Sequence, residues 1–448
     1  MSAPPQLALP VNRRILRAAA SVGVAGILVK LVATLKEVAV AGVYGRSDAM
    51  DAFLVAALIP TLLVNLVAES MNQALVPTLI RVREREGRES AERLFASCTL
   101  WLCLLLATAS VLILLTSHAF FPLLAAEFPP AKLALSRQLF YALVPIVLMT
   151  GIATHCTAVL NSFERFVLPA LAPVVISLSI IVGALGFGAR FGIVAMVWAT
   201  LFGSLAHVVL VVGMMARHGY RFRLRWYGMT EPVREVGRQY GPVLLSGVVS
   251  SGGLLVDQAM AAMLVSGSVA ALAYANRFVS VVLTLFAGAI STAIIPYFSQ
   301  MVAHSDWRGC RASVHYWLRR TALVSVPVAL MLIAGARPLV RIFFEHGAFH
   351  AADTEVVTRV LRMYALQIPF YIVSRVDYRL LVALRRTDLI FWCGTINLAL
   401  DVLLNLLFMR WLGVAGIALA TSVWTLSTFL FLRFWAHRLL ALAEKRMQ

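Results

Sequence analysis

Acidic residues are scarce in this 448-residue chain: 21 Asp and Glu stand against 39 Lys and Arg, and only 13% of all residues carry a charge. So little charge cannot cover a soluble fold of this length, and no polar stretch is long enough to form a separate soluble domain. Cysteine is scarce too. Cys98, Cys103, Cys156, Cys310 and Cys393 form no CxxC and have no His at ligand spacing, which excludes a disulfide framework and a zinc site. The phosphate-loop pattern GxxxxGK[ST] is missing, so coupling to energy falls to an ion gradient, the membrane potential or the substrate's own gradient. Ser and His show no catalytic arrangement, and the chain reads as a transporter and not an enzyme.

What is present is apolar: 61% of residues are hydrophobic and the mean hydropathy is +0.86. Apolar runs of about 20 residues, the length a bilayer requires, recur from end to end. Period-2 alternation is absent, and a chain in hydrocarbon satisfies its own backbone, so the runs predict helices and not barrel strands. They fall at 15–44, 49–80, 94–121, 135–160, 165–188, 191–216, 239–266, 268–302, 314–345, 354–384, 388–410 and 413–437. The first run is too long for a signal peptide and lacks a small-residue cleavage site, so it reads as a retained helix.

A net charge of +18 in a soluble protein suggests nucleic acid. Here the basic residues lie between apolar runs, as in RVREREGRESAER at 81–93 and RHGYRFRLRWYG at 217–228, so they orient helices and nucleic acid is not expected. Their alternation predicts a multi-pass membrane protein with both termini in the cytoplasm. The chain also repeats itself. YALVP at 141–145 returns as YALQIP at 364–369, GIVAMVWATLFGSL at 192–205 as GVAGIALATSVWTL at 413–426, and ALVP at 74–77 as AIIP at 293–296. The spacing of roughly 220 residues predicts two six-helix lobes, 1–217 and 239–448, joined by a basic linker at 218–238. An even number of helices per lobe makes the repeat parallel, an architecture of alternating-access transporters.

Ionisable groups inside the runs are costly and mark function. KLVATLKEVAV at 30–40 holds Lys30, Lys36 and Glu37, with Lys30 and Glu37 seven residues apart and nearly on one face. Two readings stand for Lys36 and Glu37: a cavity lining, or side chains snorkelling to the interface. The second run carries Asp51 near one end, then Asn65, Glu69 and Asn72 at i, i+4 and i+7, a polar stripe. Arg277 lies in the eighth run; Arg375 and Arg379 share a face of the tenth, with Asp377 turned away. This cationic balance predicts an anionic ligand, most simply a phosphate or pyrophosphate. Asp257, with Asn397 and Asp401 four residues apart, forms a hard-oxygen set suited to a small cation or a proton relay. An interhelical hydrogen bond of Asn397 to a protonated Asp is the alternative.

The stretch KLVATLKEVAVAGVYGRSDAMDAFLVAALIPTLLVNLVAESMNQALVPTL resembles the N-terminal signature of the MurJ (MviN) lipid II flippases, within the multidrug/oligosaccharidyl-lipid/polysaccharide exporter superfamily. GPVLLSGVVSSGGLLVDQ, SGSVAALAYANRF and PLVRIFFEHGAFHAADTEVV extend the resemblance over most of the chain. It implies two six-helix lobes around a central cationic cavity that moves an undecaprenyl-pyrophosphate-linked saccharide, lipid II first among them, between leaflets. An exopolysaccharide or O-antigen unit is the nearest alternative, and an ion-coupled multidrug exporter the alternative of another class. The family's paired cavity arginines fall on Lys30 and Lys36, its following acid on Glu37, and charged family positions on Asp51, Glu69 and Arg277. Asp257, Asn397 and Asp401 resemble a sodium site of some members, with Thr421 a further ligand. The resemblance thus implies sodium or a proton as coupling ion, no other cofactor, and unknown partners in synthesis or polymerisation. Departures are Lys for Arg at 30 and 36, no Arg near Val64–Asn65, and about twelve helices where members commonly have fourteen.

Overall fold

The computed structural model describes residues 8–162, 167–220 and 222–445. Among them it is helical, without strands. The helices are α1 (Ala8–Tyr44), α2 (Asp48–Leu63), α3 (Ser70–Glu86), α4 (Arg88–Leu124), α5 (Pro130–Leu143), α6 (Pro145–Ser162), α7 (Val167–Leu171), α8 (Val174–Phe191) and α9 (Ile193–Arg217). They continue with α10 (Glu231–Ala262), α11 (Ser268–Ala303), α12 (Trp307–Ala334), α13 (Ala336–Phe344), α14 (Ala351–Ala365), α15 (Gln367–Ala383), α16 (Thr387–Leu412) and α17 (Val414–Lys445). Each predicted run corresponds to one helix or a consecutive pair. Among the described residues ten spans are long and apolar enough to cross a bilayer, eleven when α5 and α6, bent by 43°, count as one. The remaining predicted run is α1, whose side chains before Ala25 lie outside the described residues.

The predicted repeat has a physical signature at its helix breaks. Gly192 between α8 and α9 has φ 56° and ψ −143°, and Gly413 between α16 and α17 has φ 56° and ψ −135°. Each donates its N–H to the carbonyl four residues back, Gly188 and Met409. A left-handed turn at glycine stops one helix and starts the next at the same point of both halves. The other echo behaves alike: YALVP breaks at Val144 between α5 and α6, and YALQIP at Leu366 between α14 and α15. Proline following each break removes an amide from the next helix's first turn, where none is needed. Of AIIP at 293–296 only the Ile294 side chain belongs to the described set, so that echo is followed in the backbone alone.

Two compact units result. The first comprises Met1–Val43, Ala52–Pro122 and Pro130–Val248; the second comprises Tyr44–Asp51, Leu123–Pro129 and Val249–Gln448. The basic segment expected as a linker therefore belongs to the first unit, and the chain leaves that unit inside α10. Its anchoring is chemical: Tyr220 and Phe222 pack on the first unit's core, Tyr227 N–H donates to Ser97 Oγ at 3.2 Å, and the Arg88 guanidinium lies 4.4 Å over the Tyr220 ring.

Candidate functional site

In the first unit, α1 keeps Lys30 half-buried, and Glu37 is 8% exposed. Lys36 Nζ lies 2.7 Å from Glu37 Oε1, an ion pair largely covered by protein.

Between α2 and α3 the backbone widens into a π turn over Val64–Glu69. Such a turn inserts a residue into the α register and often accompanies functional sites. Its effect on the expected polar stripe is to divide it. Asn65 and Glu69 are exposed, whereas Asn72 is buried, its Oδ1 accepting from His155 Nδ1 at 3.1 Å and its Nδ2 donating to the Thr154 carbonyl at 3.2 Å. His155 in turn stacks on Phe95 with centroids 5.1 Å apart. The stripe is thus two features: an outward acid and an inward hydrogen-bonded pair.

Asp51 closes the segment Tyr44–Asp51 within the second unit. Its Oδ2 accepts from Gly267 N–H at 2.7 Å and its Oδ1 from Ala270 N–H at 2.9 Å, so it caps the N-terminus of α11. Neighbours reinforce the joint: Asp48 accepts from Ser266 Oγ at 2.7 Å, Arg46 Nη1 pairs with Asp353 at 3.1 Å, and Tyr274 donates to the Gly45 carbonyl at 3.0 Å. At 1% exposure the Asp51 carboxylate serves helix-terminal amides, a demand that α11 creates by starting at an unsatisfied turn. Arg46, Asp48 and Asp353 escape sequence reading because their partners lie more than 200 residues away.

The hard-oxygen set is assembled in the second unit, with one correction. Asp257 from α10, Asp401 from α16 and Thr421 from α17 converge, but the amide joining them is Asn405 and not Asn397. Asn405 Nδ2 donates to Asp257 Oδ1 at 2.8 Å and to Asp401 Oδ1 at 3.3 Å; Thr421 Oγ1 donates to Asp257 Oδ2 at 3.2 Å. Asn397 instead donates to Thr428 Oγ1 at 2.7 Å. Both asparagines lie four residues from Asp401, so helical periodicity alone ranks them equally. Asp401 Oδ2 and Asn405 Oδ1 are buried acceptors without a donor. Unpaired buried oxygens beside two carboxylates suit a small hard cation. No three His, Cys, Asp or Glu side chains converge among the described residues, so a transition-metal site is not formed there.

The remaining cations also belong to the second unit. Arg277 is half-buried on α11. Arg375 lies 4.1 Å over the Tyr371 ring and 5.5 Å from the Tyr378 centroid, which Arg379 approaches at 5.4 Å. Aromatic faces hold guanidinium groups while leaving their edges for hydrogen bonds. Asp377, expected to turn away from that face, is fully buried.

A family model described as "Lipid II flippase MurJ" matches residues 40–448. It begins three residues after Glu37. The probable lipid II flippase MurJ of Buchnera aphidicola subsp. Acyrthosiphon pisum (strain APS) is 22% identical over 417 residues, 92% of this chain and 82% of its own. A solved lipid II flippase MurJ in an inward closed conformation has TM-score 0.79 at 24% identity, covering 92% of this chain and 86% of its own. An inward-facing multidrug resistance MATE family transporter of the MOP superfamily has TM-score 0.76 at 13% identity, covering 94% and 99%. Likeness at those identities establishes a shared transporter fold.

Proposed function

Because the chain belongs to the lipid II flippase MurJ family, we propose that it carries lipid II across a bacterial inner membrane by alternating access, with both termini cytoplasmic. The observation that carries this reading is the family match over 40–448. The chemistry agrees with it. Lipid II presents a pyrophosphate, and half-buried Lys30, Lys36, Arg277, Arg375 and Arg379 supply cations at membrane depth. Lys30 and Lys36 of the first unit are phosphate-binding groups in this proposal, with Glu37 holding Lys36, and Arg277 is proposed separately as a phosphate-binding group of the second unit. Lys offers a point charge where Arg offers a planar fork, so this grip tolerates variation in headgroup geometry. Sodium is the proposed coupling ion, held by Asp257, Asp401, Asn405 and Thr421; its positive charge offsets the two carboxylates in one conformation and biases the cycle.

The test is complementation of a cell depleted of its own lipid II flippase. The chain restores growth, and Lys30→Ala and Arg277→Ala abolish rescue at unchanged membrane abundance. Rescue by both variants overturns the assignment of the phosphate-binding groups. Failure of the unaltered chain to rescue, with export of a different lipid-linked saccharide restored instead, overturns lipid II as substrate.

A further inference from the structure

The phosphate-binding assignment does not use Arg375 and Arg379 of α15. From 371 to 381 this helix is buried except at Tyr371, Arg375, Tyr378 and Arg379. Those four fall at i, i+4, i+7 and i+8, so they form one stripe on the face that the neighbouring helices leave half open. The stripe lies within the membrane span. Arg375 stands eight residues before the end of the apolar stretch Ala351–Ala383, about 12 Å along the axis at 1.5 Å per residue. Guanidinium groups at that depth are costly to keep and mark a ligand or its path.

Aromatic rings set their orientation. Tyr371 at 4.1 Å and Tyr378 at 5.5 Å flank the Arg375 guanidinium, and Tyr378 also neighbours Arg379 at 5.4 Å. A ring against the guanidinium plane restrains its tilt but accepts none of its in-plane N–H groups. Arg375 Nε is buried and has no acceptor among the described residues. Asp377, the acid closest to it in sequence, is fully buried and lies 3.4 Å from Arg433. Arg375 is thus held by aromatic groups with a donor still to give.

We propose that this stripe recognises a carboxylate of the transported headgroup, with Arg375 as the fork and Arg379 as a second cation; the inference rests on the lipid II reading and deepens it. Two anion chemistries then meet two kinds of cation. Pyrophosphate is a compact cluster of charge, which the point charges of Lys30 and Lys36 suit. A carboxylate is planar, and its two oxygens match two parallel N–H groups on one edge of a guanidinium. Lipid II carries carboxylates on the peptide attached to its sugar, and bare undecaprenyl pyrophosphate carries none. The stripe therefore selects the loaded lipid over the empty carrier.

The purified full chain in detergent is titrated with lipid II, with undecaprenyl pyrophosphate, and with lipid II whose peptide carboxylates are converted to primary amides; bound lipid is counted by native mass spectrometry. The parent is expected to hold lipid II about tenfold tighter than either comparison lipid. Arg375→Lys with Arg379→Lys, which keeps both charges but not the fork, removes that preference at an unchanged melting midpoint and leaves undecaprenyl pyrophosphate binding as in the parent. Tyr371→Leu, which takes away the ring under Arg375, lowers the preference in the same direction. Full preference in the double variant overturns the proposal. Equal weakening of all three lipids by that variant also overturns it, in favour of a pyrophosphate role for α15. Equal binding of native and amidated lipid II by the parent overturns the carboxylate assignment alone, whereas a parent that binds neither form overturns the lipid II reading and this inference with it.

Discussion

Asn405 donates its side-chain amide to Asp257 at 2.8 Å, linking α16 to α10. The same nitrogen reaches Asp401 at 3.3 Å, so one amide bridges two carboxylates that would otherwise repel across a poorly hydrated interior. Removing it exposes that repulsion. Asn405→Ala is expected to lower stability by about 1–3 kcal/mol, read as a fall in melting midpoint, whereas Asn397→Ala leaves the carboxylate pair connected.

The same cluster makes a cation-specific prediction. Sodium chloride is expected to raise the melting midpoint of the purified protein above its value in equimolar potassium chloride, because a ligand bound only by the folded chain stabilises by mass action. Asp257→Asn and Asp401→Asn each abolish the difference. A midpoint insensitive to the exchange of sodium for potassium removes sodium from the mechanism.

These residues also show what the sequence reveals and where it stops. Helices were legible because each run must satisfy its backbone alone, and the repeat because YALVP and GIVAMVWATLF place breaks at the same points of each half. Asp257 and Asp401 were legible as ionisable groups with no local reason to be in lipid, whereas Thr421 entered only through the family resemblance. Asn397 and Asn405 were indistinguishable because both sit one turn from Asp401; the choice depends on which neighbouring helix faces each. The π turn at Val64–Glu69 left no mark in a pattern that α periodicity already explained, so Asn72 was grouped with Glu69. The alliance of Tyr44–Asp51 with the second unit was equally invisible, being a matter of hydrogen bonds across more than 200 residues.

That alliance is testable at Gly267. Its φ of +79° is a left-handed conformation, and a Cβ there falls 2.6 Å from the Arg46 carbonyl oxygen. Gly267→Ala therefore meets backbone strain and a backbone clash together, with an expected cost above about 1 kcal/mol. Gly228 has φ +93° with nothing within 4 Å of its Cβ, so Gly228→Ala meets strain alone and shifts the midpoint less. Asp51→Ala, which strips two amides of their acceptor, is expected to match or exceed Gly267→Ala. Equal midpoints for all three variants and the parent contradict the joint.

Asn72 tests the division of the polar stripe. Its side chain is matched on both ends, to His155 and to the Thr154 carbonyl, in a buried place where water cannot substitute. Asn72→Leu keeps the volume but leaves His155 Nδ1 unpaired beside His155 Nε2, which already lacks a partner. Two unsatisfied nitrogens on one fully buried ring raise the cost above that of an ordinary lost hydrogen bond, to about 1–3 kcal/mol. Asn65→Leu, on the exposed side of the π turn, removes no such partner and is expected within about 0.5 kcal/mol of the parent. Thermal unfolding of the two variants side by side decides the matter: equal losses mean one continuous stripe, and a loss confined to Asn72→Leu means that the π turn separates an inward structural pair from an outward face.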